Sequence, residues 1–200
     1  MTTTTDMTAA GTGTGLATGP DTYAAADPST DLSGAAPEGT GFRWSARPVT
    51  AADHAAVLDL FTEPDFYFRT HRPDTRPQWE VLSLLDEDTR LLSADGRPVG
   101  LYALEVSGGE HACHFFLHLR LTARLRPDAW ASAYRELIRA LRWQREVVRL
   151  AVVVGEFDDR GLTAARLAGF AEEGVLAGNI VHDGHRRGSV FLSRIWEPTS

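Results

Sequence analysis

Lysine is absent from this 200-residue chain, so all 20 of its basic side chains are arginines, which reads as the codon bias of a GC-rich genome rather than a functional choice. Cysteine occurs once, at Cys113, which rules out an internal disulfide and with it a secreted disulfide scaffold. No apolar run approaches the roughly 20 residues that a bilayer-spanning helix needs, and the N-terminus has neither the basic start nor the apolar stretch of a signal peptide. The expectation is a soluble, cytoplasmic protein with no membrane partner.

Positive charge is also missing from Met1 to Thr40, a stretch of mostly Thr, Gly, Ala, Ser and Pro whose only charged residues are Asp6, Asp21, Asp27, Asp31 and Glu38. It has too little to bury to offset the entropy of ordering, so a disordered tail is expected over 1–40 and one globular domain over 41–200. Without those five acids, 22 of the chain's 27 acidic residues face 20 arginines, so the net charge of −7 belongs mostly to the tail and the domain stands near −2. A near-neutral domain does not predict non-specific nucleic-acid binding. With 43% apolar residues, five Trp and nine Phe, the domain can build a core.

The remaining pattern is one of short alternating elements. Phe42 to Pro48 suits a first strand, and Thr50 caps a helix over Ala51 to Phe61 with Asp53 in a capping-box position. Glu63 to Arg76 is a proline-broken loop with the cluster Phe66, Tyr67, Phe68 and His71, followed by a second helix at about Gln78 to Leu85. Thr89 to Ala94 and Pro98 to Val106 flank Asp95-Gly96, a hairpin signal, and a further strand follows over Ala112 to Thr122. A helix from Pro127 to about Gln144 aligns Trp130, Ala133, Leu137, Ile138 and Leu141, with Trp130 and Trp143 assigned to the core. Leu150 to Val154 reads as a strand buried on both faces and Gly161 to Ala168 as a short helix ending at Gly169. Val175 to His182 and Ser189 to Arg194 flank a second hairpin signal, Asp183-Gly184. The order β-α-α-β-β-β-α-β-α-β-β predicts an α/β (α+β) domain with a mixed, mostly antiparallel central sheet flanked by helices.

The junction from strand to helix between Arg120 and Tyr134 (RLTARLRPDAWASAY) is the most informative segment. The first N–H groups of a helix lack internal partners and lie at the positive end of its dipole, so an anion is stabilised there. Pro127 fits the first helical position and Asp128 the first turn, while Arg124 and Arg126 add positive charge. The loop has no glycine, so its backbone cannot wrap a pyrophosphate as closely as a P-loop does.

The element order resembles that of the GNAT N-acetyltransferases. LAGFAEEGVL (Leu167 to Leu176) and VHDGHRRGSVFLSRI (Val181 to Ile195) resemble segments of the branch that includes the ribosomal-protein N-terminal acetyltransferases of the RimJ/RimL type, and ARPVTAADHAAVLDLF resembles that branch's opening. The likeness spans roughly Phe42 to Trp196. It implies an acyltransferase that uses acetyl-CoA or another acyl-CoA and no metal. It also implies a phosphate loop on Arg124 to Ser132, and strands that diverge and pair with the pantetheine arm along His118 to Leu121 and Ala151 to Val153. The cofactor-binding residues implied are Leu119, Arg120, Leu121, Arg124, Arg126, Asp128 and Ala129. The chain departs from the family at Asp158, Gly161 and Ala165, where Asn, Ser and the thiol-protonating Tyr are common.

Acyl transfer from a thioester to an amine needs the ammonium deprotonated, the carbonyl polarised and the thiolate stabilised. The candidate bases are Glu105, His114 and His118; the two histidines share a strand face, and His118 lies nearest the implied reaction centre. Asp158 is a candidate catalytic residue and also fits a helix N-cap. His114 and His118 lie about 13 Å apart along a strand, too far to share a metal ion. Phe66, Tyr67, Phe68 and His71 are the candidate acceptor-binding residues, with a plug under the loop as their structural alternative. The acceptor is expected to be a small-molecule or peptide amine, and a homodimer is compatible with the chain. The glycine-free loop motivates a second donor class, an acyl carrier protein or an aminoacyl-tRNA, as in specialised metabolism; the balanced charge disfavours tRNA. The rival from another class is a non-catalytic binding module of the same fold.

Overall fold

The computed structural model describes residues 41–70, 76–107 and 113–197, so the tail over 1–40 and His71 lie outside the described residues. The elements follow the expected order: β1 (Trp44–Pro48), α1 (His54–Phe61), α2 (Gln78–Leu82), β2 (Arg90–Ala94), β3 (Arg97–Ser107), β4 (His114–Leu121), α3 (Pro127–Gln144), β5 (Arg149–Gly155), α4 (Asp159–Leu167), β6 (Ala171–His182) and β7 (His185–Ile195). One seven-stranded sheet has the order β1-β2-β3-β4-β5-β7-β6. All neighbours are antiparallel except β4 and β5.

Local chemistry explains most boundaries. Thr50 and Asp53 form a capping box at a short 3-10 turn (Ala51–Asp53) that leads into α1. Both hairpins turn through residues of positive φ, Asp95 (50°) with Gly96 (77°) and Asp183 (49°) with Gly184 (74°), the conformation that matches the twist of two antiparallel strands. Pro127 opens α3. The helix α2 stops at Leu82 rather than Leu85, because the chain tightens there into i→i+3 hydrogen bonds from Leu84 to Val81 and from Leu85 to Leu82.

The sheet divides the core in two. On one face α1 and α2 pack over Leu91, Leu101 and Ala103, burying Val57, Leu60 and Phe61. On the other, α3 and α4 cover Leu117, Leu121, Leu150, Val152 and Leu192. Trp130 lies deep in this second core, but Trp143 is 91% exposed, which corrects its assignment to the core. It follows Leu141 by two residues, about 200° round the helix, and so points away from the sheet. In β5, Val153 is also partly exposed, because the helices covering β5 lie on the opposite face.

Candidate active site

The cleft begins where two strands part. β4 and β5 pair in parallel only at His114–Arg149, Phe115–Leu150 and Phe116–Ala151. Beyond those pairs β4 stays bonded to β3 as far as Leu121, and β5 to β7 as far as Gly155, so their facing edges carry backbone groups without a strand partner. Leu117 to Arg120 form one wall and Val152 to Gly155 the other, with Trp130 and Tyr134 of α3 behind and Tyr67 and Phe157 at the loops.

On β4, His118 faces the same side of the sheet as Glu105 on β3, because Ala103 lies opposite His118 and Glu105 is two residues further along. The two side chains meet at 3.2 Å, His118 Nε2 to Glu105 Oε2. His118 lines the cleft, while Glu105 lines an adjoining cavity. These two expected bases are therefore brought together; His114 lies at the far, paired end of β4.

Arg120 turns into the cleft. One guanidinium nitrogen bonds the Asp158 carboxylate and another the Asp65 carbonyl oxygen, while the Tyr67 and Trp130 rings lie 5.3 and 5.0 Å from its central carbon. Its Nε is buried without a partner among the described residues. Asp158 is the N-cap of α4, accepting the Gly161 N–H at 2.9 Å, so the cap reading holds and a second partner is added to it. Gly161 is required there: a Cβ would stand 2.4 Å from the Asp158 carboxylate oxygen. Beside this pair, burial pushes the Tyr134 hydroxyl well above the usual tyrosine range, with Asp158 reinforcing the shift and Arg120 opposing it.

The β4–α3 loop is partly occupied by the chain itself. Glu63 accepts the Ala123 N–H at 2.7 Å and the Thr122 hydroxyl at 2.5 Å, and Trp130 donates its indole N–H to the Thr122 carbonyl oxygen at 3.3 Å. Arg124 and Arg126 reach solvent, Arg126 pairing with Asp128 at 2.6 Å. Ala129 is buried, so its contribution is confined to backbone. Leu119 lines the cleft, whereas Leu121 belongs to the core.

The aromatic cluster is split. Phe66 and Phe68 turn into the core under α1, Phe66 edge-on to Phe61 at 5.1 Å, which corrects their place as acceptor-binding rings: each is 1% exposed, and Phe68 meets the cleft only as part of its wall. Among the described members of the cluster, Tyr67 alone turns outward. It meets Phe157 and His182, and the latter two rings stack at 3.7 Å. His182 escaped sequence reasoning because only the fold brings the β6–β7 hairpin to the β5–α4 loop. Among the described residues, no three His, Cys, Asp or Glu side chains gather to hold a metal ion, and no helix is long and apolar enough to cross a membrane.

No protein-family model matches the chain, and no curated protein sequence does either. Solved structures do match. A GNAT-family acetyltransferase from Bacillus anthracis superposes with a TM-score of 0.61 at 13% identity, over 76% of this chain and 95% of that one. Ribosomal-protein-alanine N-acetyltransferase from Brucella melitensis gives 0.57 at 17% identity, over 76% and 99%. An acetyltransferase from Salmonella typhimurium that modifies the N-terminal serine of a 50S ribosomal subunit protein gives 0.60 at 10%, over 77% and 95%. The chain has the fold of the GNAT acetyltransferases.

Proposed function

We propose that this chain is an N-acyltransferase that moves an acyl group, by default acetyl, from a pantetheine thioester to an amine of a small molecule or peptide. The observation that carries this reading is the parting of β4 from β5 with a histidine–carboxylate pair at its edge. Unpartnered backbone groups on both walls suit a narrow amide-bearing arm, the cleft is lined by Trp130 in the first turn of α3, and Arg126 is the N-cap of that helix. Acetyl-CoA fits such a site as donor: Leu119 and Arg120 would flank the arm by their backbone, and Arg124, Arg126 and the amides of Asp128 and Ala129 would face the phosphates. When bound, it supplies an activated acyl group.

The chemistry left to the protein is positioning and proton transfer. His118 accepts the proton that the ammonium must lose, and the Glu105 carboxylate stabilises the resulting imidazolium. As the N–C bond forms and the C–S bond breaks, the Tyr134 hydroxyl, kept protonated by burial, donates a hydrogen bond to the departing sulfur. The Arg120 guanidinium adds fixed positive charge. Asp158 holds Arg120 and acts through it, as a positioning residue.

A second donor is favoured by one observation: Glu63 already occupies the Ala123 amide, and Trp130 fills the first turn of α3. A carrier-protein phosphopantetheine, which lacks the adenosine diphosphate part, makes no demand on that loop.

Thermal-shift titration with CoA, acetyl-CoA and pantetheine tests both. Stabilisation by CoA and acetyl-CoA is expected; stabilisation by pantetheine alone would favour the carrier-borne donor, and no shift with any of them would reject acyl-CoA as the donor. Replacing His118 by Ala should lower kcat/KM by at least about 100-fold, with Glu105→Gln weaker in the same direction. Unchanged turnover in both variants would remove them from the mechanism.

A further inference from the structure

A second cavity, of about 450 Å3, lies beneath the C-terminal end of α3, and of its described lining residues only Arg69 also lines the donor cleft. Strand alternation puts Leu101 and Ala103 of β3 on the α1 side, so Tyr102, Leu104 and Val106 face α3. β2 begins at Arg90, opposite Tyr102, and past that pair β3 has no neighbour on its β2 side among the described residues. The space left there is bounded by the loop before β2 and by Leu141 and Arg145 of α3.

Arg90 is the most buried charged group in its wall, 7% exposed, and by register it stands beside Tyr102 on the α3 face. Its Nη1 donates to the carbonyl oxygens of Glu87 at 2.5 Å and Thr89 at 3.3 Å. Its Nε and Nη2 have no partner among the described residues, yet neither is sealed inside the protein, so the surface they expose belongs to the cavity. Those two nitrogens form one edge of the guanidinium, with parallel N–H groups that fit the two oxygens of a carboxylate. Among the described residues, no carboxylate of the chain takes that place. Asp86 accepts from Arg69 and from the Thr89 hydroxyl, Glu105 points to the opposite face and meets His118, and Asp88 is exposed. A guanidinium this buried and bonded only to neutral carbonyls is a costly arrangement, and a bound anion offsets the cost.

Toward α3 the wall becomes apolar, with Leu104, Val106 and Leu141, and Val106 is 52% exposed. The last turn of α3 carries partial negative charge, which repels an anion and leaves the charged end of a ligand to the β2 side. We propose that this cavity is a binding site for an organic monocarboxylate, held by its two oxygens on the Nε–Nη2 edge of Arg90 and by an apolar body along Leu104, Val106 and Leu141. Its volume falls within the range of small-molecule sites, roughly 300–1,000 Å3. The site is separate from the donor cleft and stands whether or not the acyltransferase reading does.

Hexanoate is the probe, with hexanamide and acetate as its controls. Calorimetric titration into the donor-free full chain should show at least tenfold tighter binding of hexanoate than of either control. Arg90→Gln should remove the preference for acid over amide. Val106→Asp, at a half-exposed position, should weaken hexanoate at least tenfold by setting a like charge beside it. Neither side chain lines the cleft, so both effects belong to this cavity. Equal binding of hexanoate and hexanamide, or binding of neither, overturns the proposal, and so does acetate binding as tightly as hexanoate or an acid preference that survives in a folded Arg90→Gln variant. An unchanged hexanoate affinity in Val106→Asp overturns it even where Arg90→Gln fails to fold. Titration of the same protein with CoA tests the acyltransferase reading separately.

Discussion

Two corners of this fold use the same pair of side chains for different ends. At the corner between β1 and α1, Asp53 completes a capping box and binds Arg47; at the corner between β4 and α4, Asp158 caps α4 and binds Arg120. The side-chain exposures separate them: 53% for Arg47 and 9% for Asp53, against 9% and 11% for Arg120 and Asp158. Water can replace a partner at the first corner. At the second, losing either partner strands a charge inside the cleft. The first pair serves mainly to start a helix, and the second ties helix stability to the arrangement of the candidate active site.

The largest effect should come from Asp158→Ala, which removes a cap and leaves Arg120 buried without its carboxylate. A loss of about 3–5 kcal/mol in urea unfolding is expected. A loss below 1 kcal/mol would mean that the second corner is as solvated as the first. Next is Gly161→Ala, where the added Cβ drives the Asp158 carboxylate from its seat. We expect about 1–3 kcal/mol of destabilisation, with a drop in kcat/KM that a neutral helix substitution would not produce.

Asp53→Ala should cost least, about 1–2 kcal/mol at neutral pH, through the cap. This corner should also be pH-dependent. The hydrogen bond from Arg47, opposed by burial and helped by Thr50, holds the Asp53 carboxyl far below its ordinary value of 3.8. A depressed folded-state value means that the contribution is complete above that ordinary value and is lost as pH falls through the folded one. The unaltered protein and Asp53→Asn should therefore converge in stability as pH is lowered from about 4. Parallel curves down to acid unfolding would show that Asp53 acts by geometry alone.

Much of the fold was legible because local rules decide it. Asp-Gly pairs mark both hairpins, Thr50 and Asp53 mark a helix start, and Pro127 marks another. The element order followed from these signals, and the resemblance pointed to the strands that part. The site was legible only in pieces. His118 and Glu105 share a face by strand alternation, so their meeting needed only the hairpin-like pairing of β3 with β4. Glu63 capping an amide 60 residues away and Arg120 turning inward both depend on tertiary neighbours that no local pattern encodes. The aromatic cluster misled because alternation along a loop sends Phe66 and Phe68 one way and Tyr67 the other.

Three residue pairs are all that join β4 to β5, so the two halves of the sheet share almost no ladder. Amides on the facing edges over 117–121 and 152–155 belong among the faster-exchanging strand amides of the domain until something lies between them. A ligand arm bonded to both edges would act as a missing strand, slowing exchange on both sides at once and making the sheet continuous from β1 to β6.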